Sequence, residues 1–151
     1  MNKLLKVLIV EDSEDDVQLL LRELKKGGYK PTHKRVETAT AMKKALKEHW
    51  DIIISDYKMP KFSGPDALRV LHASNLDIPF IIVSGSVGED AAVETLKEGA
   101  HDFITKMNLA RLVPAIEREI EEFKIRKAHK QAEEALQQSE QRYQTLALMS
   151  P

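Results

Sequence analysis

A doubly wound α/β fold, with helices on both faces of a parallel sheet, is what this 151-residue chain predicts. Two observations carry the prediction. Five short strand-like runs alternate with amphipathic, helix-like stretches, and repeated βα units imply parallel strands joined by crossover helices. Three of the five runs are rich in Ile and Val and show no polar alternation, as expected of strands covered on both faces.

The first strand is "LKVLIV" (5 to 10). Ser13 then caps "EDDVQLLLRELKKGG", where Val17, Leu20, Leu21 and Leu24 form one stripe and Gly27-Gly28 ends the helix. "THKRVE" (32 to 37) is the second and weakest strand, followed by "TATAMKKALKEHW" with Ala39, Met42, Ala45 and Leu46 on one face. "DIIIS" (51 to 55) is the third strand. After it, "GPDALRVLHAS" has Pro65 suited to a first turn and Leu68 and Leu71 facing inward. "PFIIVS" (79 to 84) is the fourth, and "GEDAAVETLKEGA" is expected to bury Ala92, Val93 and Leu96 before stopping at Gly99. "HDFITK" (101 to 106) is the fifth. From Asn108, read as an N-cap, one long helical stretch follows, with Pro114 placed beyond its first turn and so expected to kink it. Past Pro114, Ile125, Ala128, Ala132, Ala135, Ser139 and Leu146 recur near heptad spacing, flanked by Leu136 and Tyr143. The α/β part does not need so long a helix, so part of it is expected to project.

Apolar residues make up 42% and charged residues 31%, which fits a soluble globular domain. Lys plus Arg number 23 against 24 for Asp plus Glu, so no global basic excess points to nucleic acid. There is no cysteine, which excludes disulfides and thiolate metal sites. The apolar run near the N-terminus is too short for a secretory signal and no segment is long enough to span a membrane. A cytoplasmic protein without direct nucleic acid or membrane binding is expected.

In doubly wound sheets ligands sit beyond the carboxyl ends of the strands. There the sequence places Glu11 and Asp12 after the first strand, Asp56 after the third, Ser84 at the end of the fourth and Lys106 at the end of the fifth. Three carboxylates so close would repel one another unless a cation bound between them, and oxygen-only ligation suits Mg²⁺. Lys106 and Ser84 add donors for phosphoryl oxygens. The set is that of phosphoryl transfer onto a carboxylate, with Asp56 the nucleophile.

These residues, in "VEDS", "SDYKMPKFSG", "VSGS" and "FITK", resemble the signature of response-regulator receiver domains of two-component signalling. The resemblance covers roughly residues 4 to 123 and implies a flavodoxin-like sheet of order 2-1-3-4-5. It implies that Asp56 is phosphorylated by a histidine kinase or histidine phosphotransfer protein. Glu11 and Asp12 match the acidic pair that holds Mg²⁺, completed by Asp56 and the backbone carbonyl of Lys58. Ser84 matches the switch hydroxyl, Lys106 the family's lysine and Phe103 its rotating aromatic, while Pro60 and Gly64 shape the loop after the aspartate. Phosphorylation is then expected to draw Ser84 toward the phosphoryl group, let Phe103 turn inward and bias the face of helix 4, strand 5 and helix 5. One departure is Met107, where the family usually has proline after its lysine, so a trans peptide is expected there.

"AEEALQQSEQRYQTLALMSP" resembles the linker that enters a PAS sensory domain. The expected layout is a receiver at 1-123 and a linker helix at 124-151 leading to a PAS or output domain, with a homodimer formed through that helix. Rival readings are a pseudo-receiver that dimerises without phosphorylation and an aspartyl-nucleophile phosphatase. The phosphatase would carry an acid two residues after Asp56, where this chain has Lys58. Blander assignments complete the reading. Glu14, Asp15 and Asp16 read as a solvated charge run, and His33, His49, His72, His101 and His129 as surface residues. Trp50 reads as packing at the end of helix 2, and Phe103 has core packing as its alternative.

Overall fold

Four consecutive apolar side chains, Val7 to Val10, are all buried, and they explain why the first strand shows no alternation. Val7 and Ile9 point to one face of the sheet and Leu8 and Val10 to the other, and each face has its own helices to cover it. The computed structural model describes residues 3–85 and 88–149. Ser86, in the VSGS motif, and Ser150 and Pro151, at the end of the expected linker, lie outside the described residues.

The strands are β1 (Lys3–Val10), β2 (Tyr29–Val36), β3 (Ile52–Ser55), β4 (Phe80–Ser84) and β5 (Asp102–Thr105). All pair in parallel, in the order β2-β1-β3-β4-β5, so the expected doubly wound sheet is present. Of its helices, α1 (Glu14–Lys26) covers one face through Val17, Leu20, Leu21 and Leu24, beside Leu112, Ala115 and Ile116. On the other face α2 (Ala39–Ala45) and α3 (Gly64–Ala73) pack Met42, Leu68 and Leu71 against Leu8, Ile53 and Ile82.

The helix starts follow their capping residues. Ser13 accepts from Asp16 N, Thr38 from Ala41 N, and Ser63 and Asp66 form a reciprocal capping box ahead of Pro65. α2 is shorter than its sequence stretch. It stops near Leu46, and the buried Trp50 donates its indole N–H to Ala45 O, occupying a carbonyl the helix end leaves free. Gly28 ends the turn after α1 at φ 89°, a left-handed conformation natural to glycine.

Four expectations are corrected. In α4 (Glu89–Lys97) Val93 and Leu96 are exposed, and the inward residue is Thr95, whose hydroxyl bonds Ala91 O within its own helix. That internal bond lets a polar side chain take the place the apolar stripe was expected to fill. His101 is half-buried, and its Nδ1 accepts from Phe80 N, so it is a structural link between β4 and β5. Asn108 does not cap the last helix. Lys106–Arg111 forms a 3₁₀ segment in which Asn108 has φ −129° and ψ 49°. This delays α5 (Leu112–Met149) and puts Pro114 inside its first turn, where the missing N–H costs no helical bond. No peptide among the described residues is cis, as expected with Met107 after Lys106.

The chain divides into two units, Met1–Ile120 and Glu121–Pro151. The first holds the sheet and both cores, and residues 124 to 148 of the second are exposed along their whole length. Among the described residues no helix is long and apolar enough to cross a membrane.

Candidate functional site

Three strands end in the polar groups that meet at one edge of the sheet. Ile54 pairs with Ile9 and Ser55 with Val10, so the residues that follow, Asp56 and Glu11, leave the sheet side by side. Asp56 N donates to Val10 O and Glu11 N to Val36 O, which extends strand-like bonding to the site itself. One carboxylate oxygen each from Glu11, Asp12 and Asp56 lies within 4.8 Å of the others. The three expected acids are thus brought together, Glu11 buried, Asp56 half-buried and Asp12 exposed. An all-oxygen donor set that is open on one side fits a hard divalent cation such as Mg²⁺.

Asp56 is held from two directions. Tyr57 N donates to its Oδ1 at 2.7 Å, while Oδ2 faces the Lys106 ammonium at 3.5 Å. Glu11 accepts from Ser13 N at 3.1 Å through Oε1 and turns Oε2 to Lys106 at 3.5 Å. Burial pushes the Glu11 carboxyl up to about 7. The Ser13 N–H opposes that rise, the hydrogen bond with Asp12 and the Asp56 charge add to it, and the Lys106 charge counters it.

Burial by itself would lower the Lys106 pKa, yet the hydrogen bond to Asp16 and the charges of Glu11 and Asp56 raise it above the ordinary lysine value. The shortest contact of Lys106 is to Asp16 Oδ2, at 2.7 Å. Asp16 was expected to be solvated, and the structure corrects this. It is the residue beside the site that sequence reasoning missed, and the available signal was its place in the first turn of α1, three residues after the Ser13 cap.

The loop after Asp56 turns back at once, with Gly64 N donating to Tyr57 O at 2.9 Å. A Cβ at Gly64 would stand 2.8 Å from Asp56 O, so glycine lets α3 start against the backbone of Asp56. Pro60 is exposed in this loop, and so is the Lys58 side chain, two residues past Asp56. A cleft of about 290 Å³ beside the acids is lined by Asp12, Thr38, Met59, Pro60 and Lys61. Ser84 is buried at the end of β4, paired in register with Thr105, the residue before Lys106. Phe103 is half-buried and its ring lies 6.0 Å from that of Tyr57, tilted by 56°. Beside it, Asp102 accepts from Phe103 N and pairs with Arg118 of α5 at 2.7 Å.

Comparisons with known proteins point in one direction. The family model described as the response regulator receiver domain matches residues 7–117. The response regulator SaeR of Staphylococcus epidermidis is 36% identical over 103 residues, 66% of this chain and 43% of that protein. The cell cycle transcriptional regulator CtrA of Caulobacter vibrioides is 33% identical over 103 residues, 68% of this chain and 44% of that protein. The chain therefore matches less than half the length of these relatives. Among solved structures, a response regulator receiver domain protein from Clostridium thermocellum superposes with a TM-score of 0.68 at 27% identity, covering 80% of this chain and 98% of its own.

Proposed function

The chain belongs to the response-regulator receiver-domain family, and on that premise we propose that it is a phosphorylation switch with Asp56 as acceptor. The observation that carries the reading is the cluster of Glu11, Asp12 and Asp56 within 4.8 Å, with the Lys106 ammonium 3.5 Å from both Glu11 and Asp56.

In this reading the donor is a phosphohistidine on a kinase or phosphotransfer protein. An Asp56 carboxylate oxygen attacks phosphorus, the bond from phosphorus to the imidazole nitrogen breaks, and its electron pair stays with the ring. β3 holds Asp56 at a fixed height for that attack, since its backbone is bonded to β1 and one oxygen to Tyr57 N. Mg²⁺ would be held by Glu11, Asp12, Asp56 and the Lys58 carbonyl, and when bound it would offset the charge of the incoming phosphoryl group. Lys106 and Ser84 bind the phosphoryl oxygens. Ser84 moving toward them frees space for Phe103, and β5 and α5 pass on the change. Self-dephosphorylation is slow, and any catalytic output lies in another domain or protein.

The second unit serves as the transmitting element, a homodimer seam leading toward a PAS or other output domain. Ile125, Leu136, Tyr143 and Leu146 are 61%, 61%, 78% and 62% exposed, a line of large apolar groups that association would cover.

Incubation with Mg²⁺ and acetyl phosphate, followed by intact-mass measurement, tests the acceptor role. One added phosphoryl group is expected, absent without Mg²⁺ and absent in Asp56→Asn. No adduct, as a pseudo-receiver would give, or an equal adduct in the variant, would sink the reading.

A further inference from the structure

Lys106 is the only cation paired with the carboxylates of the acid cluster among the described residues, Arg35 reaching only the Glu11 backbone carbonyl, and its nearest partner is not a residue of the proposed metal and phosphoryl site. Its Nζ lies 2.7 Å from Asp16 Oδ2 but 3.5 Å from Glu11 Oε2 and from Asp56 Oδ2. The first distance is that of a charge-assisted hydrogen bond, while the other two sit at the outer limit of one. Asp16 is anchored for this contact, because its backbone N–H donates to Ser13 Oγ and fixes it in the first turn of α1. No other cation pairs with its carboxylate among the described residues.

We propose that Asp16 is a positioning residue that docks the Lys106 ammonium while Asp56 is unmodified and competes with the phosphoryl group for it. The inference rests on the functional reading above and deepens it. A phosphoryl group on Asp56 brings about two negative charges and three acceptor oxygens to Lys106, whose shortest bond is to Asp16. To give them its shortest bond, Lys106 gives up the 2.7 Å bond to Asp16. The modified state is therefore disfavoured by the free energy of the broken pair, and the side chain at position 16 sets how tightly the phosphoryl group is held. Neutralising it removes the competitor without removing a ligand of the proposed Mg²⁺ site. The backbone N–H that completes the helix cap is untouched.

The test is calorimetric titration of the full chain with beryllofluoride, a phosphoryl mimic, at fixed Mg²⁺. Wild type, Asp16→Asn, Asp16→Glu, Lys106→Ala and the Asp16→Asn/Lys106→Ala double variant are compared. Asp16→Asn is expected to bind about three- to tenfold tighter, the scale of a half-exposed charged pair. Asp16→Glu should return toward wild type, and the gain should vanish when Lys106 is absent. Unchanged or weaker binding by Asp16→Asn overturns the proposal. So does a gain that persists in the Lys106→Ala background, which would mark a general relief of negative charge. Failure of the wild type to bind beryllofluoride would instead overturn the functional reading on which the inference rests.

Discussion

Asp12 is the exposed member of the acid cluster, and no cation pairs with its carboxylate among the described residues. It sits with Glu11 and Asp56 in one cluster, and the single nearby ammonium is shared with Asp16. Asp12→Asn should therefore raise the stability of the metal-free protein, by roughly 0.5 kcal/mol at the scale of exposed charge interactions. Mg²⁺ at a hundred times its dissociation constant should stabilise the wild type by about 2.7 kcal/mol and the variant by almost nothing. Thermal melts with and without Mg²⁺ check both signs. At this scale much was legible in the sequence, because burial disfavours a charge and an acid placed straight after a buried strand stands out against it. Asp56 was read that way, and Glu11, Asp12 and Lys106 from their places beyond the carboxyl ends of the first and fifth strands. Asp16 was not, for a physical reason: acids in a helix's first turn are favoured by the helix dipole wherever they occur. Its partner is also 90 residues away in the chain.

The helices were legible where a capping side chain marks them and less so where only an apolar stripe does. Ser13, Thr38 and Ser63 each cap the helix that follows. The stripe of α4 pointed the wrong way because Thr95 satisfies its own hydroxyl and can be buried. The capping box of α3 makes a pH-dependent prediction. Backbone and side-chain hydrogen bonds from Ser63, helped by Arg69, hold the Asp66 carboxyl below its usual value of 3.8. A depressed folded-state pKa contributes stability above the unfolded value, and that contribution is lost as pH falls through the folded one. Ser63→Ala should cost about 1 kcal/mol at pH 7. In urea titrations of Asp66→Ala, whose carboxylate is the titrating partner of the Ser63 N–H, the deficit against wild type at pH 7 should shrink once the pH drops below the ordinary range of aspartate. A difference that stays constant down to strongly acid pH would mean that Asp66 takes no part in the cap.

At the scale of the molecule, the run of apolar side chains without alternation determined the architecture. It requires helices on both faces, and β3 and β4 are indeed buried throughout. Strand ends were less legible. β2 begins three residues before its expected start because edge pairing with β1 continues through Lys3 and Tyr29, which composition does not signal. The second unit makes its own prediction. If its exposed apolar line is a dimer seam, Leu136→Lys with Leu146→Lys should shift the chain to monomer by light scattering, without altering the melting of the sheet domain. Equal mass for the two proteins would remove the dimer.

The central claim is chemical, and the most direct measurement locates the phosphoryl group. After reaction with Mg²⁺ and acetyl phosphate, borohydride reduction converts an aspartyl phosphate to homoserine, which peptide mass mapping places in the chain. Homoserine at position 56 alone, formed only when Mg²⁺ and the phosphodonor are both present, is the predicted result. An unmodified Asp56, or homoserine recovered at position 12 or 16 instead, would contradict it.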